Sequence, residues 1–276
     1  MRTLGKSLTA ITFILLSGGL LLAQEDTREE MTIPLSNPGQ PGKLECRLVN
    51  GSITITGYSG NEVQVIATQP MKKISVETET DDPEKKGMKK ITSRSFNITA
   101  EENDNVVEIR SQSILSTINL VIKVPAKFDM EVGTVNNGDI LVNNVEGNLE
   151  ISNVNGSVTL TDVSGSVVTN TVNGDVKVIM DRVDAGTPMS FVTFNGDVDV
   201  TIPGSVKATA RMNSTTGDIY TDFDVEFEQK RVKADESEGR DVYKISIDEY
   251  VSGNLNGGGA EFVFKTFSGD IYLRKK

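Results

Sequence analysis

A glycine recurs every nine residues through the middle of the chain, at Gly138, Gly147, Gly156, Gly165 and Gly174. Two residues after each of the first four stand Ile140, Leu149, Val158 and Val167. Four residues after come Val142, Ile151, Leu160 and Thr169, and seven after come Val145, Val154, Val163 and Val172. Eleven of these twelve positions are apolar, Thr169 being the exception. A short fixed period that carries its own turn residue implies stacked copies of one supersecondary unit, each burying an apolar side against the next. Nine residues suit a strand of about five or six plus a tight corner. Beyond Gly174 the glycines fall at 186, 196, 204 and 217, and alternate glycines form two series, 138-156-174-196-217 and 147-165-186-204. Spacings of 18 to 22 residues within each series predict coils of about twenty residues, each made of two short strands with a turn after each.

The turn chemistry agrees. Asn-Gly stands at 50–51, 137–138, 155–156, 173–174 and 195–196, and both residues tolerate the positive φ of a tight corner. Val, Ile and Leu line the expected interior, and aromatic residues are only 5% of the chain, as suits a narrow core. The beat starts early, with Leu44, Cys46 and Leu48 alternating before Asn50-Gly51, and Ile53 and Ile55 after it. Two charged stretches interrupt it, at about 71–105 and 225–253, and both read as inserted hairpins. The tail 262–274 reads as one last repeat closing the stack. The expected fold is all-β: a single β-solenoid domain over 43–276 with two inserted hairpins.

The front of the chain is different. Arg2 and Lys6, an apolar stretch from about Leu8 to Leu22, then Ala23 before Gln24-Glu25-Asp26 have the layout of a cleavable secretory signal over 1–23. Residues 24–42, with Pro34, Pro38 and Pro41, read as a flexible leader holding at most a short entry strand. Cleavage would remove two basic residues and no acids, taking the formal charge from −11 to −13. Such a surface repels nucleic acid, and no stable membrane insertion is expected once the signal is gone. The chain has no His, no Trp and one Cys, which excludes serine–histidine and cysteine–histidine catalysis, imidazole metal sites and internal disulfides. Cys46, in the alternation Leu44-Glu45-Cys46-Arg47-Leu48, is expected to be buried and inert.

Asn50-Gly51-Ser52-Ile53-Thr54-Ile55-Thr56-Gly57-Tyr58, Leu120-Val121-Ile122-Lys123-Val124-Pro125, the Gly-Asp-Ile/Val repeats and the closing Thr266-Phe267-Ser268-Gly269-Asp270-Ile271-Tyr272-Leu273 resemble a bacterial family of exported β-strand-repeat proteins labelled putative adhesins. The resemblance covers most of the chain after the signal, least at the two charged insertions. It implies a β-solenoid-like fold and brings no catalytic residues.

Calcium-binding toxin repeats share the nine-residue period but need paired glycines and an Asp two residues after the second; here a single Gly is followed at once by Asp, Asn or Ser. Many long β-helices cleave polysaccharides, and Asp197/Asp199 and Asp222/Asp224 are acidic pairs about 6–7 Å apart on one strand face. That separation is near what glycosidases use, yet such pairs arise on any acidic sheet, and with five Tyr and no Trp no aromatic platform is expected beside them. Gly257-Gly258-Gly259 lacks the Lys-Ser/Thr of a phosphate loop and reads as a flexible connection. The Asn residues could stack as ladders, but turn propensity already accounts for them. No catalytic, cofactor-binding or metal-binding residue is therefore assigned, and no cofactor.

One pattern stays open. The residue after each glycine of the first series is Asp139, Ser157, Asp175, Asp197 and Asp218, joined by Asp270 in the last repeat; in the second it is Asn148, Ser166, Thr187 and Ser205. Parallel stacking puts Asp175, Asp197 and Asp218 next to one another about 4.8 Å apart, repelling by about 1 kcal/mol per pair in water. Either each carboxylate accepts an N–H from its own turn, or a weak calcium ladder neutralises the row. The expected function is that of an exported, non-catalytic β-repeat protein presenting an acidic surface for adhesion or interaction in the cell envelope, with an envelope protein or a polysaccharide as partner. It would reside in the periplasm, at the cell surface or outside the cell. The alternatives are a polysaccharide-active β-helix enzyme and an envelope sensory or regulatory component.

Overall fold

A computed structural model describes residues 27–69, 98–111, 116–233 and 247–276. The signal segment 1–23, most of the expected hairpin at 71–105 and part of that at 225–253 lie outside the described residues. Those described form twenty β-strands and no helix. They are β1 (Thr27–Pro34), β2 (Gly42–Arg47), β3 (Ile53–Tyr58), β4 (Glu62–Gln69), β5 (Ile98–Asn103), β6 (Val106–Ser111), β7 (Asn119–Pro125), β8 (Phe128–Thr134), β9 (Ile140–Asn143) and β10 (Glu146–Asn153). The second half adds β11 (Val158–Asn170), β12 (Val176–Val183), β13 (Met189–Val192), β14 (Val198–Ile202), β15 (Ala208–Ser214), β16 (Ile219–Thr221), β17 (Phe227–Lys233), β18 (Ile247–Leu255), β19 (Ala260–Thr266) and β20 (Ile271–Lys275).

Pairing is parallel along two faces. One face runs β7-β3-β9-β11-β12-β14-β20-β16, and the other runs β6-β2-β8-β10-β11-β13-β19-β15. β11 crosses from one face to the other as a single strand of 13 residues. Antiparallel strands extend both ends: β4 and β1 beyond β7, β5 beyond β6, and the β18/β17 pair beyond β15. The entry strand allowed for in segment 24–42 is β1, eight residues that pair along β4.

The alternation read from the sequence points one side chain in two at the space between the faces. Register turns this into columns. On the first face Leu120, Ile53, Ile140, Val158, Val176, Val198 and Ile271 follow one another, all buried. On the second, Ile109, Cys46, Val132, Ile151, Thr169, Phe191, Phe264 and Met212 do the same. Each Val or Ile sealed in this way contributes about 1.5–3 kcal/mol of transfer free energy, which lets the array hold without disulfides.

Order along the stack departs from order along the chain. β2 and β3 lie between β6/β7 and β8/β9, and β19 and β20 lie between β13/β14 and β15/β16. The tail does not close the stack; the level before it in sequence does. A second departure concerns Val154 and Val172, which are 36% and 42% exposed, while Val145 and Val163 at the matching repeat position are buried. The two exposed valines stand on the Asn-Gly corner, outside the space between the faces.

Candidate interaction surface

The Asn-Gly corner is held by three ladders of hydrogen bonds running from level to level. Positive φ at Gly156, Gly174, Gly196 and Gly269 accompanies a glycine carbonyl turned toward the next level. A small polar side chain there meets it: Thr134 Oγ1 on Gly51 O at 2.9 Å, Asn153 Nδ2 on Gly138 O at 3.0 Å, and Thr171, Thr193, Thr266 and Ser214 hydroxyls on Gly156, Gly174, Gly196 and Gly269 at 2.8 Å. Sequence reasoning missed this set. Its signal is a small polar residue three places before the glycine, at Asn153, Thr171, Thr193, Ser214 and Thr266.

The second ladder uses the residue after the glycine. Asp139 Oδ1 accepts Ser157 N–H at 2.8 Å, Ser157 Oγ accepts Asp175 N–H at 3.1 Å, and Asp175 Oδ1 accepts Asp197 N–H at 2.9 Å. Asp197 Oδ1 then accepts Asp270 N–H at 2.8 Å, and Asp270 Oδ1 accepts Asp218 N–H at 2.9 Å. The N–H comes from the neighbouring level, not from the carboxylate's own turn as expected. Asp270 also stands between Asp197 and Asp218, so Asp175, Asp197 and Asp218 are not consecutive neighbours. Charge-assisted bonds of this kind offset the repulsion along the row. Among the described residues no group of three or more Asp, Glu or Cys is placed to hold a metal ion.

The third ladder is amide on amide. Asn155 donates to Asn136 Oδ1 at 3.0 Å, Asn173 to Asn155 at 2.9 Å and Asn195 to Asn173 at 2.8 Å. These asparagines therefore form the stack that turn propensity had seemed to make unnecessary.

Beside the amides runs an exposed apolar ridge: Val135, Val154, Val172, Phe194 and Phe267, one per level over five consecutive levels, each at least 36% exposed. The two phenylalanines stack with ring centroids 4.7 Å apart and planes within 2°. At this end of the array Phe194 and Phe267 border a cleft of ≈ 620 Å³ that reaches the β17/β18 pair.

Three of the four paired acids are engaged, Asp197 in the second ladder. Asp199 meets Arg274 Nε at 2.8 Å, and Asp222 Oδ1 accepts Lys275 N–H at 2.8 Å. An aromatic pair does stand beside them, against expectation: Tyr220 and Tyr272 stack at 5.1 Å, with the Arg274 guanidinium 4.9 Å from the Tyr272 ring centre. Tyr272 donates to Asp270 Oδ2 at 3.0 Å, and this bond, with burial and the carboxylate's charge, raises the Tyr272 pKa above the ordinary phenol value. A phenol so held is a donor at neutral pH. Cys46 is fully buried, which pushes its thiol up to about 12. Asn256, Gly257 and Gly258 all take positive φ in a turn pinned by Asn256 Nδ2 on Gly204 O and Val206 O at 2.9 and 2.7 Å. Gly257-Gly258-Gly259 is thus a fixed corner rather than a loose connection.

These features define an all-β repeat protein with a solenoid-like curved sheet and a ladder-bound edge. Residues 134–256 match the family model Toastrack DUF4097, in agreement with the resemblance to putative adhesins drawn from the repeats. Three solved structures are similar over most of their length. A putative cell adhesion protein from Clostridium sporogenes is 11% identical with a TM-score of 0.46, covering 91% of this chain and 100% of its own. A putative adhesin from Bacteroides fragilis is 8% identical with a TM-score of 0.33, covering 91% and 97%. One from Parabacteroides merdae is 8% identical with a TM-score of 0.27, covering 92% and 97%. No curated protein sequence matches the chain.

Proposed function

We propose that this chain is an exported, non-catalytic β-solenoid that acts as an interaction surface in the cell envelope. In this reading residues 1–23 are removed on export, and 43–276 form one domain of coils of about twenty residues, two strands each, with hairpins inserted at about 71–105 and 225–253. Its acidic surface carries adhesion to an envelope protein or polysaccharide, in the periplasm or at the cell surface.

The observation that carries the reading is the ridge Val135-Val154-Val172-Phe194-Phe267. A run of large apolar side chains left in water over five adjacent levels gains free energy when a partner covers it. The inward columns already supply the core, so packing does not require the ridge. The offset of 18 residues between Val158 and Val176, and of 22 between Val176 and Val198, supports the coil length.

The test is capture from a solubilised envelope fraction on immobilised protein spanning 24–276. Wild type should retain envelope material, and the double variant Val154→Lys, Val172→Lys should retain much less while keeping its melting temperature. Equal retention by both sinks the reading. Incubation with a broad polysaccharide panel should release no reducing ends; release abolished by Asp199→Asn would replace it with an enzyme.

A further inference from the structure

The stack Phe194–Phe267 stops abruptly. The backbone ladder continues to the next level, where Thr216 N–H and Oγ1 both reach Phe267 O at 3.1 Å. Register places Ser214 opposite Thr266, which puts Thr215 opposite Phe267. A threonine is too short to cover a phenyl ring. The second face of Phe267 is therefore left open, and Phe267 and Thr215 both line the ≈ 620 Å³ cleft. Its far wall is Tyr250, held from behind by the Arg211 guanidinium 4.1 Å from the ring centre. Between the two aromatic residues the lining is mixed, with Met212 and Val251 beside Asn213, Gln229, Glu249 and Lys265.

We infer that this cleft is a saccharide-binding site, taking a pyranose unit of an extended glycan against the open face of Phe267. The inference rests on the interaction-surface reading above and names the class of ligand. Three observations select it. The cleft volume lies within the span of about 300–1,000 Å³ common to small-ligand sites. One flat aromatic face matches the C–H face of a sugar ring, while amide and ammonium groups at its rim match the hydroxyls on the ring edge. Over Ala208–Met212 the lining strand β15 is already paired on both sides, with β19 and with β18. A peptide could not add itself as a strand along that stretch, because that mode needs an unpaired edge. A lipid tail would offer the Lys265 ammonium no partner.

The experiment is affinity electrophoresis of the chain spanning 24–276 through native gels containing a soluble β-glucan, xylan, glucomannan or glycol-chitin. At least one polysaccharide should retard wild type. Phe267→Ala should weaken that retardation at least tenfold, and Phe267→Tyr should keep it. Thr215→Phe, which extends the stack and fills the open face, should abolish it without lowering the melting temperature. Tyr220→Ala, at the other exposed aromatic pair, should bind as wild type does. No retardation by any of the four, or retardation that survives Phe267→Ala, overturns the inference. Envelope capture that persists without saccharide binding overturns it alone and leaves the interaction-surface reading standing.

Discussion

Thr169 offers a test in which two chemically identical substitutions should move stability in opposite directions. It lies in an inward column between Ile151 and Phe191, fully buried, and its Oγ1 has no hydrogen-bond partner among the described residues. Sealing an unpaired hydroxyl costs about 1–3 kcal/mol. Thr169→Val replaces it with a methyl of nearly the same size, so no cavity opens against Ile151 or Phe191. Removing the penalty should stabilise the fold by about 1–3 kcal/mol, or roughly 2–10 °C in melting temperature for a domain of this size. Thr193 is also buried, but its hydroxyl donates to Gly174 O at 2.8 Å. Thr193→Val strips a half-buried carbonyl of that partner and should destabilise by about 1–3 kcal/mol. Scanning calorimetry on the two variants and wild type decides the matter. A Thr169→Val protein that melts lower, or a Thr193→Val protein that melts as wild type does, refutes the assignment of inward columns and corner ladder.

Gly174→Val should cost more than about 3 kcal/mol, because a Cβ there would lie 2.3 Å from Gly156 O at a φ of +153°; melting like wild type would remove Gly174 from a strained corner. Glu102 accepts Ser36 N–H and Asn105 N–H, each at 2.9 Å, and these bonds hold its carboxyl below the ordinary range. A depressed folded pKa adds stability that is complete above the unfolded value of about 4.3 and is lost as pH falls through the folded one. The gap in melting temperature between wild type and Glu102→Gln should therefore close on acidification from about pH 6 to about pH 3, and a gap that stays constant would show that Glu102 adds nothing in its charged form. Millimolar calcium at low ionic strength should leave the melting temperature unchanged, since Asp175, Asp197 and Asp270 each already accept an N–H; a rise that Asp197→Asn removes would restore the cation ladder. Cys46 should react with a thiol reagent only on denaturation, and rapid labelling of native protein would place it at the surface.

The inward columns were legible because every level repeats the same places, and Ile140, Leu149, Val158 and Val167 are buried where the nine-residue beat puts them. Stacking order was not legible. A period identifies the unit but leaves every unit able to lie on every other, so nothing in the tail 262–274 says that it slips in beside Val198 rather than finishing the array. Val154 and Val172 look like core in a periodic reading, and only the corner geometry turns them outward. The hydroxyl ladder went unread, and the Asp row and Asn stack were read without their bonds, for a related reason, since each bond joins residues 15 to 83 positions apart whose closeness depends on that order. Phe194 and Phe267 are the extreme case: they read as scattered aromatics until the levels that carry them become neighbours.

The out-of-sequence insertion of β19 and β20 has a consequence for how the array is made. The two strands couple β13/β14 to β15/β16, and no described strand pairing joins those levels directly. A chain still missing its last seventeen residues would hold β15 only against β18, as a flap hinged on the finished part. Assembly therefore cannot proceed as a steady zippering from one end, as it can in a repeat array laid down in order. It waits for the final segment to wedge between two preformed levels, and contacts so distant in sequence slow the search. Until then the inner face of Phe262 and Phe264 has no place to go. Once lodged, that wedge must be drawn out before the levels on either side can part.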